Sequence, residues 1–406
     1  MEEQLNLSLT RFPKDAYIIL AGETRIADRF YFIREGKVRL RNEMQITEKN
    51  REETLGPGDF FGVAAAMSGH SHIETALAIT DVLLVAVTPD QFDTLIKNNT
   101  PVAKKILLQF SRRMRLLNDY LTVLTLKKDA STDISHLFHV GEYYAKQYQY
   151  KQACYAYHQY IKHCPEGKFE RQAVERLKRY TPLAKSFRMV VETGEMTRTY
   201  QKDDMIFAES EPGEEVFVIR SGSVKIAKIS KNSEILLAIL NAGDIFGEMA
   251  LLESKPRDAS AVAFEKCELM VMNRANFDHM IRTQTQLITK LTVLLAGRIW
   301  MSYKQLANTR INDSLGRMYD MLMIQLEKKR SNLNSRGSCT FDFGSNELIN
   351  MIGLSINDGS SALYKLLQGK LVEIVKNKVV VKSIWDFSRQ ASFYQKKLRI
   401  EKNHCP

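Results

Sequence analysis

Apolar residues fall in short runs broken by Gly and Pro in two separate parts of the chain. In the parts between and after them they recur every three or four residues. The run Phe30-Tyr31-Phe32-Ile33-Arg34-Glu35-Gly36-Lys37-Val38 reads as strand, glycine turn, strand, and Val216-Phe217-Val218-Ile219-Arg220-Ser221-Gly222-Ser223-Val224 resembles it. Gly58-Asp59-Phe60-Phe61-Gly62 returns as Gly243-Asp244-Ile245-Phe246-Gly247, about 185 positions further on. A two-fold repeat of about 100 residues means two like antiparallel β domains rather than a solenoid.

The intervening pattern is helical. Over 101–126 the apolar positions Val102, Ile106, Phe110, Met114, Leu117, Leu121 and Leu124 hold helical spacing. Over 136–180, Gly141, Tyr144, Ala153, Tyr157 and Pro165 fall where a tetratricopeptide repeat places its packing residues and final proline. One such unit cannot bury its own face, so it is expected to pack on a β domain as a spacer; a partner-binding surface is the alternative. A long helix is predicted at about 284–309. Its stripe of Leu287, Leu291, Leu295, Arg298, Ser302 and Leu306 points to packing against a partner helix, with a homodimer seam favoured. Helices at 313–327 and 346–352, a break at Gly353-Leu354-Ser355, a helix at about 357–368 and strands at Val372–Val375 and Val379–Val381 follow the order of a winged helix-turn-helix. The stretch from Trp385 to Pro406 is a helix or a disordered arm.

With 406 residues the chain holds several domains, and 44% hydrophobic with 26% charged residues is the make-up of a soluble globular protein. The start is acidic where a secretory signal is basic, and no apolar run reaches membrane-spanning length. Cys154, Cys164, Cys267, Cys339 and Cys405 form no CxxC pair, so reduced thiols and a cytoplasmic location are expected, with no metal site. Basic residues outnumber acidic ones by 16 to 7 over 101–185 and by 15 to 9 over 311–406, while 1–100 has 11 against 15. Such patches suit phosphate backbones, although a solvated helical face gives the same count.

The run Phe246-Gly247-Glu248-Met249-Ala250-Leu251-Leu252, followed by Pro256-Arg257-Asp258-Ala259-Ser260 and preceded by the Pro212-Gly213 and Ser221-Gly222 turns, resembles the phosphate-binding cassette of cyclic-nucleotide-binding domains. Over about 187–382 the chain resembles the cyclic-AMP receptor and fumarate–nitrate regulator superfamily. The resemblance implies that Arg257 pairs the cyclic phosphate, a bidentate match of guanidinium and anion. It gives the ribose 2′-hydroxyl to Glu248, close backbone approach to Gly247, and phosphate-directed N–H groups to the turns at Met249-Ala250 and Ala259-Ser260. Ser302 aligns with the family's long-helix hydroxyl that meets the purine. Asp313 aligns with its hinge aspartate, with Gly316-Arg317 following. Glu347-Leu348 and Gly353-Leu354-Ser355 match its helix-turn-helix.

Departures from the pattern are informative. In the first copy Val63 replaces the ribose-binding Glu, His72 stands at the Arg position, and Glu74 adds a carboxylate, so that copy is expected to bind no cyclic nucleotide. Asp258 occupies a position usually held by a small or hydroxyl residue. It is expected to turn towards solvent; pointing at the base, it would instead accept hydrogens from a guanine edge. Ser355 reads as the N-cap of the DNA-reading helix, Ile356, Asn357 and Ser361 hold its base-facing positions, and Ser360, Tyr364 and Lys365 suit phosphates. No Arg, the commonest guanine reader, is among them. Ile349 and Gly359 exchange the sizes the family prefers at two facing positions, which conserves core volume.

The fold expected is therefore α+β and multidomain. A degenerate β-roll (1–100) is followed by a helical linker (101–185), a nucleotide-binding β-roll (186–283), a long dimerisation helix (284–310), a winged helix-turn-helix (311–386) and a basic tail (387–406). The function expected is a homodimeric DNA-binding transcription regulator gated by a cyclic nucleotide, cyclic AMP ahead of cyclic GMP. The rival is a nucleotide-responsive scaffold that has lost DNA reading and binds a protein partner through 1–185. An enzyme is disfavoured, because no Walker loop, kinase signature, nucleophile elbow or metal-ligand cluster occurs.

Overall fold

The structure is a computed structural model that describes residues 7–22, 25–41, 52–126, 133–184, 196–229 and 233–403. The two repeats fold alike. The first contains β1 (Ser8–Phe12), β2 (Tyr17–Ile19), β3 (Phe30–Glu35), β4 (Val38–Arg41), β5 (Glu52–Leu55), β6 (Phe60–Phe61), α1 (Val63–Ser68), β7 (Thr75–Ala78) and β8 (Val82–Val87). It is followed by α2 (Phe92–Asn98), α3 (Thr100–Leu126), α4 (His136–Lys146), α5 (Tyr150–His163) and α6 (Glu170–Tyr180). The second contains β9 (Thr197–Tyr200), β10 (Met205–Phe207), β11 (Glu215–Ser221), β12 (Val224–Ile229), β13 (Glu234–Leu240), β14 (Ile245–Phe246), α7 (Glu248–Glu253), β15 (Ser260–Ala263) and β16 (Cys267–Asn273).

Sheet orders β1-β8-β3-β6 and β2-β7-β4-β5 in the first roll recur as β9-β16-β11-β14 and β10-β15-β12-β13 in the second. The register matches too. Tyr31 lies opposite Phe61 with the rings stacked at 5.4 Å, and Phe217 lies opposite Phe246 with the rings stacked at 5.2 Å. Antiparallel short strands with one apolar face each bury that face between the paired sheets, as in the core of Phe207, Phe217, Ile219, Leu240 and Leu269.

The chain continues through α8 (Arg274–Thr283), α9 (Thr285–Thr309), α10 (Ser314–Lys328), β17 (Cys339–Thr340), α11 (Ser345–Met351), α12 (Ile356–Gln368), β18 (Val372–Val375), β19 (Lys378–Val381) and α13 (Ile384–Asn403). It divides into two compact units. One comprises Met1–Leu117, Leu251–Glu253 and Met272–Tyr303; the other comprises Asn118–Ala250, Ser254–Val271 and Lys304–Pro406. In the second unit the α4–α6 helices bury Tyr144, Tyr157 and Tyr160 in one core with Met205, Ala227, Ile229 and Val262 of the roll. Gly141 allows this closeness, since a Cβ there would stand 2.6 Å from the Tyr157 ring.

The stripe on α9 is largely buried. Leu291 and Leu295 are 0% exposed and Leu306 is 1% exposed within the single chain. Leu287 and Arg298 of the same stripe are only partly buried, so the chain itself covers part of the face expected to meet a partner helix. The last stretch resolves as helix, over Ile384–Asn403.

Near the C-terminus, Asp313 caps α10 by accepting from Gly316 N at 2.5 Å and also accepts from Tyr394 OH at 2.8 Å. Gly353, at φ +68°, makes the turn between α11 and α12, and β17-β19-β18 form a small sheet. A Cβ at Gly359 would lie 2.5 Å from Ile349 Cγ2, which places the size exchange in direct contact. Gly359→Val is therefore expected to destabilise by about 1–3 kcal/mol through overpacking, and Ile349→Ala in the same chain to restore most of the loss. Urea melts of both variants check this; additive losses would separate the two positions. Among the described residues, no helix is long and apolar enough to cross a membrane. Cys154, Cys164, Cys267 and Cys339 are free thiols.

Candidate nucleotide-binding site

The site is built where β14 ends. Gly247 adopts φ +82° as the N-cap of α7, a left-handed turn that glycine enters without strain. This turn starts the helix on Glu248, which is 1% exposed, with Ala250 buried behind it and Met249 partly exposed. Arg257, 5% exposed, approaches from the loop between α7 and β15. Its Nη1 donates to Gly247 O at 2.8 Å and to Glu215 O at 2.9 Å. Its guanidinium lies 4.2 Å from the Phe207 ring centroid, an arrangement in which cation and π face attract. Glycine at 213 leaves the guanidinium its place, because a Cβ there would stand 2.2 Å from Arg257 Nε. That Nε is buried with no hydrogen-bond partner among the described residues. Burial pulls the Arg257 pKa below its ordinary value, though not far enough to discharge a guanidinium. A buried, still-charged fork held under two glycine turns fits an anionic ligand group.

Asp258 does not turn to solvent. It is 9% exposed, Asn118 Nδ2 of α3 donates to its Oδ2 at 2.7 Å, and Lys228 Nζ of β12 stands 3.5 Å from its Oδ1. Lys228, 4% exposed, also lies 3.5 Å from Glu209 and 2.9 Å from Asp119. Glu209 in turn accepts from Ile229 N at 3.0 Å and faces His136 at 3.5 Å. Burial alone would lower the Lys228 ammonium, but Asp258, Glu209 and Asp119 together raise its pKa. Burial would lift Glu209, but Lys228 and His136 hold it below the usual carboxylate range. Lys228 and the Asn118 amide offset the cost of burying the Asp258 charge. Ala259 is 7% exposed, and Ser260, at 0%, accepts from Glu209 N at 2.9 Å. Lys228, Glu209 and Asn118 escaped the sequence reading; the one available signal was a lysine inside the otherwise apolar strand end Ile226-Ala227-Lys228-Ile229.

Glu211 sits beside Arg257 and is buried, which pushes its carboxyl up to about 7 against a hydrogen bond from Ala208 N at 2.8 Å and the Arg257 charge. Tyr155 OH donates to it at 3.1 Å, and Lys162 also acts on it at longer range. Because the folded-state value is raised, the fold favours the protonated acid. That contribution is complete below about 4.5 and is lost as pH rises through about 7. Ionised Glu211 also repels an anion at Arg257. Anion affinity is therefore expected to fall by about tenfold between pH 6 and pH 8. Glu211→Gln should flatten the profile, as titration calorimetry at several pH values would reveal.

The first roll carries different chemistry at the same place. Gly62 again caps a short helix at φ +81°, and His72 and Glu74 line a cavity of about 20 Å³, room for about one water. Glu74 is engaged by Arg113 of α3 and accepts from Tyr303 OH of α9 at 3.2 Å. Ser302 is 7% exposed on α9, in the same compact unit as this cassette; Glu248 and Arg257 belong to the other unit.

On α12, Ser355 accepts from Asp358 N at 3.2 Å as the N-cap. Asn357, Ser360, Ser361, Tyr364 and Lys365 form one exposed face, and Gly359, Ala362 and Leu366 form the buried one.

Residues 9–99 and 197–284 match the family described as the cyclic nucleotide-binding domain. The chain carries two cyclic nucleotide-binding domains. It is 24% identical over 193 residues to the CRP-like cAMP-activated global transcriptional regulator of Mycobacterium tuberculosis, covering 47% of this chain and 86% of that protein. It is 28% identical over 186 residues to the cyclic AMP receptor protein of Thermus thermophilus, covering 46% and 83%. Among solved structures, the c-di-GMP responsive global regulator CLP of Xanthomonas campestris aligns at 21% identity and a TM-score of 0.39, covering 46% of this chain and 92% of that one. In the second cyclic nucleotide-binding domain, Arg257 meets the Gly247 carbonyl and the charge of Glu248. In the first, no arginine stands at the equivalent position.

Proposed function

We propose that the chain is a DNA-binding transcription regulator controlled by a cyclic nucleotide, with cyclic AMP favoured. The observation that carries this reading is the buried Arg257 beneath the Gly247 turn, next to the buried Glu248. In this reading Arg257 and the N–H groups of Ala259 and Ser260 hold the cyclic phosphate, and Glu248 takes the 2′-hydroxyl. The first domain binds no nucleotide. The α10–β19 segment acts as a winged helix-turn-helix. Asn357 and Ser361 of α12 face bases, and Ser360, Tyr364 and Lys365 face phosphates. Ligand binding shifts the population towards the DNA-competent arrangement by about 1–3 kcal/mol of coupling. No catalytic step is assigned, and α4–α6 serve as a tetratricopeptide-like spacer on the second roll.

A nucleotide-responsive scaffold is the second reading, favoured by the absence of arginine from the exposed face of α12. Sequencing of genomic DNA captured by the purified protein, with and without cyclic AMP at physiological salt, separates the two. Ligand-dependent enrichment of related sites is expected. Uniform or absent recovery, in protein that binds the nucleotide, would move the output to a protein partner.

A further inference from the structure

The helix that follows each roll in sequence meets the cassette of the other roll. Helix α3 follows the first roll, yet its Asn118 donates to Asp258 at 2.7 Å and its Asp119 accepts from Lys228 at 2.9 Å, both at the second cassette. Helix α9 follows the second roll, yet its Tyr303 donates to Glu74 at 3.2 Å and its Trp300 stacks on His70 at 3.9 Å, both at the first. Thr289 of α9 also hydrogen-bonds Asp93 of α2. Asn118 and Tyr303 hold the same place in the repeat, 185 residues apart. The stripes coincide under the same offset, Ile106 with Leu291, Phe110 with Leu295 and Leu121 with Leu306, and all six side chains are at most 5% exposed.

We propose that the two long helices are exchanged between the two rolls of one chain. A single chain then satisfies the seam that two copies would otherwise form, and the protein works as a monomer. The second site is consequently lined by α3, so Asn118, which positions Asp258 beside Arg257, sets ligand affinity in place of Ser302. The oligomeric part is independent of the nucleotide assignment; the Asn118 part rests on it.

Two measurements test this on the full chain. Sedimentation across a hundredfold range of concentration is expected to return the monomer mass of 46.6 kDa throughout, with α9 amides equally protected from hydrogen exchange at every concentration. A doubled mass whose dilution deprotects α9 would overturn the exchange. Calorimetry with cyclic AMP is expected to give about a tenfold weaker affinity for Asn118→Ala, which removes the amide that Asp258 Oδ2 accepts from at 2.7 Å, and an unchanged one for Ser302→Ala. The reverse pattern would overturn the assignment of Asn118. Wild-type protein that binds no cyclic AMP would count against the proposed function and leave the sedimentation result to decide the exchange. Asn118→Asp, of nearly the same shape but with a repelling charge, should weaken binding further, which a merely space-filling role would not produce.

Discussion

Arg257→Ala is expected to weaken cyclic-nucleotide affinity by about 10²–10³ and to remove the ligand response altogether. Two losses combine. The phosphate loses the only guanidinium in the cassette, and the Gly247 turn loses the donor that holds its carbonyl at 2.8 Å. Arg257 needs little reorganisation for the ligand, because Glu215 O and Gly247 O already hold its Nη1. Arg257→Lys keeps the charge but cannot span both carbonyls and a phosphate, so it should fall between the two. Titration calorimetry measures all three proteins, with a melt of each to establish that it is folded. An undiminished affinity in folded Arg257→Ala would place the ligand elsewhere.

Lys228→Met is expected to destabilise the protein by about 3–5 kcal/mol, because it leaves Asp258, Glu209 and Asp119 facing one another without their cation. The methionine fills most of the lysine's volume, so the loss is electrostatic rather than a cavity effect. Asp258→Asn in the same chain removes one of the stranded charges and should recover a good part of the loss. The coupling is read from a double-mutant cycle in urea. A Lys228→Met protein as stable as the parent would mean that the three carboxylates take up protons or water at no cost.

Much of this was legible in the residues. Gly and Pro punctuation marked both rolls, and the stripes Ile106-Phe110-Met114 and Leu291-Leu295 marked both long helices, because local sterics and amphipathic spacing leave a one-dimensional trace. Gly359 and Ile349 were legible as a pair because their sizes depart from a pattern in opposite senses. Periodicity says that a helix has an apolar face; it does not say what covers that face. Hence the α9 stripe reads as a seam between chains, while Leu291, Leu295 and Leu306 are already buried within one chain. Asp258 was misplaced for a related reason. Its orientation is decided by Lys228 and Asn118, which lie 30 and 140 positions away in sequence and become neighbours only when the strands and α3 are assembled.

The small cavity of the first cassette bears on the shape of the response. A chain with one working pocket titrates along a simple hyperbola, so going from one-tenth to nine-tenths occupancy takes about an 80-fold rise in ligand. Two coupled pockets would sharpen that range; one cannot. Under the proposed function, a first cavity of about 20 Å³ leaves one working pocket, and the protein would then be a graded gauge of nucleotide concentration rather than a threshold switch.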